Sequence, residues 1–118
     1  MLARENRLKS AEDFRSTMKM GRKVSSDNLV VYLKRDEASP QSRFGFVVAK
    51  TVGNAVIRNS VKRRFRAIAR EILSNLTQGS PNYSIVVRAL PGAAVADWNK
   101  LQQELSDAVS AAAKKVGA

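Results

Sequence analysis

Gly53-Asn54-Ala55-Val56-Ile57-Arg58-Asn59-Ser60-Val61-Lys62-Arg63-Arg64-Phe65-Arg66-Ala67-Ile68-Ala69-Arg70 carries two stripes at once. At helical spacing Ile57, Val61, Phe65, Ile68, Ile72 and Leu76 form one apolar face. Arg58, Lys62, Arg66 and Arg70 recur on another, with Arg63 and Arg64 beside them. A solvated helix commonly mixes Glu with Lys so that intrahelical pairs form. Here no acid occurs before Glu71. Mutual repulsion of these cations costs stability until a partner of opposite charge neutralises them. One stripe suits a core and the other a polyanion.

Charge along the rest of the chain is distributed accordingly. Residues 1–37 hold nine Lys/Arg against six acids, residues 38–70 eight against none, and residues 71–118 four against four. Most of the net +11 therefore sits in one third of the chain. A basic patch localised in this way is the footprint of phosphate binding, more than of a uniformly solvated basic surface.

The 118 residues, 44% of them hydrophobic, predict one domain with a modest core. No cysteine is present, which removes disulfides, thiolate metal sites and cysteine nucleophiles. No histidine is present either, which removes Ser-His-Asp triads and most zinc sites. Any hydrolysis involving this chain is expected to draw its chemistry from elsewhere. No apolar run is long enough for a membrane span, and Met1 to Arg7 lacks a signal-peptide core. Cytoplasmic residence, with no membrane partner, is the matching expectation.

Taken in order, residues 1–6 are basic and expected to be flexible. Ser10 with Asp13 reads as a helix N-cap, and Gly21 as its stop. Between them Ala11, Phe14 and Met18 share a face. Asn28 to Arg35 reads as a strand, with Leu29, Val31 and Leu33 on one side and Val30, Tyr32 and Lys34 on the other. Arg43 to Thr51 reads as a second strand, hairpin-paired to the first. The long helix starts after an Asn54 cap and runs to about Leu76. Tyr83 to Ala89 is a further strand, parallel to the one before the helix because a crossover joins them. A last helix from about Val95 carries Trp98, Leu101, Leu105, Ala108, Val109 and Ala112, with Trp98 read as core. Residues 114–118 are expected to fray.

Phe44-Gly45-Phe46-Val47 matches only part of the aromatic strand motif of RNA-recognition domains: the first glycine is replaced by Arg43, and a helix opens the chain where that fold opens with a strand. A double-stranded-RNA-binding domain leaves the last strand and helix unexplained. No phosphate-binding glycine loop or carboxylate cluster suggests a protein-only nuclease. A non-catalytic RNA-binding accessory fits the charge equally well. Charge permits a DNA-binding protein too, but nothing suggests a dimeric groove reader.

Lys50-Thr51-Val52-Gly53-Asn54-Ala55-Val56-Ile57-Arg58-Asn59-Ser60-Val61-Lys62-Arg63 resembles the signature of the bacterial ribonuclease P protein subunit, Lys-x-x-Gly-Asn-Ala-Val-x-Arg-Asn-x-x-Lys-Arg. Arg7-Leu8, Asp13-Phe14 and Gly21 are similar to that family's opening segment, so the likeness spans nearly the whole chain. It implies an α+β fold, helix–three strands–helix–strand–helix, with a mixed four-stranded sheet and a left-handed βαβ crossover at the long basic helix. The extra strand then falls in the Lys34–Ser42 region or at Lys23–Asn28. The resemblance further implies an accessory subunit in the endonucleolytic removal of precursor-tRNA 5′ leaders. An RNA catalyses with Mg²⁺ held mainly by that RNA, and the protein, monomeric outside the ribonucleoprotein, is inactive alone. It assigns Lys50, Asn54, Arg58, Asn59, Lys62, Arg63, Arg66 and Arg70 to the catalytic RNA. Phe14, Met18, Lys19, Tyr32 and Lys34 fall to the leader. No protein residue is catalytic or metal-binding. Ser60 stands where many members are basic, and Met18 where others are aromatic.

Overall fold

The computed structural model describes residues 2–75 and 81–117. Its elements run α1 (Ala11–Met20), β1 (Arg22–Ser25), β2 (Leu29–Arg35), β3 (Arg43–Val47), α2 (Ala55–Ser74), β4 (Tyr83–Ala89) and α3 (Trp98–Gly117). Short 3-10 turns cover Arg4–Asn6, Lys50–Val52 and Pro91–Ala94. The expected helix–three strands–helix–strand–helix order is observed, and the additional strand is β1.

Both helix starts are built as their sequences predict. Ser10 Oγ accepts from the Asp13 amide at 3.0 Å, and Asn54 Oδ1 accepts from the Ile57 amide at 3.0 Å. Each side chain satisfies an amide that has no partner within its helix. Gly53 precedes the second cap, and a Cβ there would lie 2.7 Å from Ile57 Cγ2. Only glycine lets Ile57 fold back over this turn.

The sheet order is β1-β2-β4-β3. β4 is antiparallel to β2 and parallel to β3, as a crossover through α2 requires. The hairpin expected between β2 and β3 is therefore not formed. β4 is buried along its length except at Arg88, and an apolar strand of this kind is satisfied by neighbours on both edges. The Asp36–Ser42 connection has no tight hairpin turn to hold β2 and β3 together. β3 is also shorter than predicted: it stops at Val47, and Lys50–Val52 is a 3-10 turn.

Two apolar layers lie on opposite faces of the sheet. Leu29, Val31, Leu33, Ile85 and Val87 meet Val61, Phe65 and Ile68 of α2 and Leu101, Leu105 and Ala112 of α3. Phe46 stacks on Phe65 with ring centres 6.1 Å apart, joining β3 to α2. The other face carries Val30, Tyr32 and Val86, against which Leu8, Phe14 and Met18 pack. The strand alternation in β2 is thus realised on both sides. Leu76, the last member of the predicted helical stripe, lies outside the described residues.

One other expectation, the core placement of Trp98, is corrected, and the described residues near both ends make contacts of their own. The N-terminal segment is anchored: Leu2 is 1% exposed, and Arg7 Nε and Nη2 donate to its carbonyl at 3.0 and 2.8 Å. The Leu8 amide donates to Phe44 O at 2.8 Å, adding a backbone rung at the edge of β3. Leucines at positions 2 and 8 outweigh the charges between them. At the other end α3 continues to Gly117, with Val116 packed on the core; Ala118 lies outside the described residues. Trp98 is not core, being 37% exposed at the first residue of α3.

Candidate nucleic-acid interface

Burying Val61, Phe65, Ile68 and Ala69 orients everything else on α2. Lys62 and Arg66 come to one flank and line a small cavity of about 110 Å³ with Arg7, Phe14, Gly45 and Phe46. Asn59, Arg63 and Arg70 are exposed on the outward side. Arg58 Nη1 is tethered to Gly53 O at 3.0 Å, which holds its guanidinium near the start of the helix. Arg64 turns the other way, to Ala96 O at 3.1 Å and, more weakly, Ser60 Oγ at 3.5 Å. Lys50 is exposed just ahead of the helix.

None of these cations is paired with a carboxylate among the described residues. The ion pairs found there are Arg35–Glu37, Arg43–Asp13, Arg43–Asp36 and Lys100–Asp27. Among the described residues the carboxylates that pair with cations do so away from α2, and Glu71 on α2 accepts from Gln102 instead. The field of α2 is therefore available to an outside polyanion.

The second part of the site lies where α1 crosses the sheet. Phe14 rests on Gly45, where a Cβ would sit 2.5 Å from ring carbons Cε1 and Cζ. Thr17, wholly buried, shares a 2.6 Å hydrogen bond with Ser84 Oγ and donates to Asp13 O at 2.8 Å. That pins the middle of α1 to β4. Met18 is half-buried against the Val30–Tyr32–Val86 layer. Lys34 Nζ donates to Ser16 Oγ at 2.7 Å, and Lys19 is exposed on the helix. Tyr32 is 9% exposed, so its ring serves mainly as the floor beneath Met18 and α1. Ala11, grouped with Phe14 and Met18 by spacing, is exposed and takes no part in the packing.

Two further cations project on this face: Lys23, read from the sequence only as positive charge near α1, and Arg88, which the sequence reading did not single out. Lys23 is directly opposite Tyr32, and Arg88 lies opposite Val30 on one side and Val47 on the other. Opposed residues in neighbouring strands share a face, so both project on the α1 side, and both are exposed. The alternation Ser84, Val86, Arg88 within β4 carried that signal, but β4's neighbours had to be known before it meant anything.

The two parts meet: Phe14 from the α1 side and Lys62 and Arg66 from α2 line the same cavity at the β3 edge. Nucleic acids are held by this pairing, phosphates by cations and unstacked bases by flat apolar surface. The fold and site together define an α+β protein that sets a basic helix beside an apolar trough. The chain belongs to the ribonuclease P protein family, whose model matches residues 2–113. It is 42% identical to the ribonuclease P protein component of Arthrobacter sp. over 99% of this chain and 84% of that one. To the corresponding protein of Streptomyces avermitilis it is 44% identical, over 92% and 93%. The structure of the Staphylococcus aureus RNase P protein superposes with a TM-score of 0.80 at 29% identity, covering 91% of this chain and 94% of that one.

Proposed function

We propose that the chain is the protein subunit of a ribonuclease P ribonucleoprotein that removes 5′ leaders from precursor tRNA. It binds the catalytic RNA through Lys50, Asn54, Arg58, Asn59, Lys62, Arg63, Arg66 and Arg70. The single-stranded leader lies along Phe14, Met18, Lys19, Tyr32 and Lys34, to which Lys23 and Arg88 are added. The observation that carries this reading is a basic helix whose cations have no carboxylate partner among the described residues and whose flank runs into the α1 trough.

Two RNAs brought together repel through their phosphates. Cations arranged along about 30 Å of helix, at 1.5 Å per residue, lower that repulsion and release counterions. The same neutralisation reduces the Mg²⁺ needed to hold the RNAs close. Mg²⁺ is held mainly by the RNA of the ribonucleoprotein. No three Asp or Glu converge among the described residues, and Asp13 and Asp36 both engage Arg43. The protein contributes binding and orientation, is monomeric outside the ribonucleoprotein, and acts in the cytoplasm.

Reconstitution at low magnesium tests the reading. Precursor tRNA is expected to stay intact with protein alone and to be cleaved once a ribonuclease P RNA is added. Cleavage by protein free of RNA would defeat it.

A further inference from the structure

Apart from Met20 at the end of α1, the large apolar side chains left in solvent among the described residues gather in two connected segments. Val56 is 78% exposed, Val95 88%, and Ile57 and Trp98 37% each. The first and third open α2, and the others lie at the entry to α3. The Pro91–Ala94 turn packs on the Lys50–Val52 turn and on α2, which draws the two segments together.

Two contacts bracket Trp98. Arg64 Nη1 reaches Ala96 O at 3.1 Å, and Gln102 Nε2 donates to the Glu71 carboxylate. Residues 98 and 102 are one turn apart and share a helical face. The indole thus stands on the flank of α3 that faces α2, between the levels of Arg64 and Glu71. On α2 at that height the outward row is Arg63, Ala67 and Arg70, and Ala67 and Arg70 line an open hollow of about 440 Å³ together with Glu71, whose carboxylate is taken by Gln102, and Ser74. On that row a small residue lies between two cations that pair with no carboxylate among the described residues.

A protein partner favours a patch whose centre is depleted of charge. Here Arg64 reaches the backbone two residues before the ring, and Arg63 and Arg70 stand on the neighbouring outward row of α2, which suits a phosphate on a guanidinium and a base on the indole. We propose that Trp98, with Val95 beside it, is a base-stacking contact for structured RNA seated on the outward side of α2, apart from the α1 trough. The inference rests on the RNA-binding reading above and adds a contact to it.

Trp98 is the only tryptophan, so the fluorescence of the intact chain reports on it. Titration with a ribonuclease P catalytic RNA is expected to quench that fluorescence saturably, at the concentrations where a gel shift shows binding. A short single-stranded RNA should leave it unchanged. Trp98→Ala should weaken catalytic-RNA binding by about fivefold or more, as for one lost base stack, while Trp98→Phe keeps most of the affinity. Binding with silent fluorescence and unchanged Trp98→Ala affinity overturns the inference and leaves the proposed function standing. So does concentration-dependent self-association abolished by Trp98→Ala, which would assign the patch to a second copy. Failure of the catalytic RNA to bind at all overturns the proposed function itself, and this contact with it.

Discussion

The Phe14 ring lies so close to Gly45 that a Cβ at position 45 would fall 2.5 Å from two of its carbons. A residue of α1 and one of β3 are thereby matched, and the trough takes its depth from the match. Gly45→Ala should push Phe14 outward and cost about 1–3 kcal/mol of stability, as overpacking does. Affinity for precursor tRNA should fall towards that for mature tRNA. Thermal melting reads the first effect and paired binding titrations the second. Undiminished leader preference in a folded variant would remove Phe14 from the leader site.

Arg58 and Lys62 lie on α2, and neither pairs with a carboxylate among the described residues. Arg58→Ala or Lys62→Ala should weaken assembly with the catalytic RNA and flatten the dependence of log K on log salt by about one unit each. Lys62 also lines the cavity shared with Phe14, so its loss should reach leader binding as well. Salt titrations with catalytic RNA and with precursor tRNA separate the two. Slopes equal to wild type would mean that neither side chain meets a phosphate.

Arg88 is the exposed residue of an otherwise buried strand, on the face that α1 partly covers. Arg88→Ala should lower affinity for precursor tRNA and reduce its salt slope by about 0.7, the value for one phosphate of a single strand. Binding to the catalytic RNA should hardly change. The reverse pattern would move Arg88 to the other interface.

Glu104 is 7% exposed and accepts from Ser26 Oγ at 2.5 Å and from the Asn28 amide and Nδ2 at 2.9 and 2.6 Å. Burial pushes its carboxyl up, but the hydrogen bonds from Ser26 and Asn28, with the charge of Lys100, bring it below the ordinary 4.5. A carboxyl lowered in the folded state stabilises fully above its unfolded value and ceases to do so as pH falls through its folded one. Glu104→Gln should cost about 1–3 kcal/mol at neutral pH. The difference from wild type should shrink as pH drops below about 4.5. Denaturant melts at several pH values measure it; a gap that widens on acidification would contradict the assignment.

Local chemistry was legible wherever a residue's role depends on its near neighbours in the chain. Ser10 and Asn54 cap the helices they precede, because a cap satisfies amides only two or three residues away. The apolar stripe through Val61, Phe65 and Ile68 marks the buried side of α2, because helical periodicity is a property of the backbone. The family signature from Lys50 to Arg63 lies wholly within this local reach, so the class of partner could be read from it. Which strands touch was settled only by folding. β4 enters between β2 and β3 because a strand apolar on both faces gains most at the centre of a sheet, and nothing local to Arg43–Val47 announces that neighbour. The same rearrangement brings Arg88 to the α1 face, where the β1–β2 pairing sets Lys23, and joins the basic flank to the trough in which Phe14 lies on Gly45. Trp98, apolar by type, stays half in solvent because the first turn of α3 is packed on one side alone.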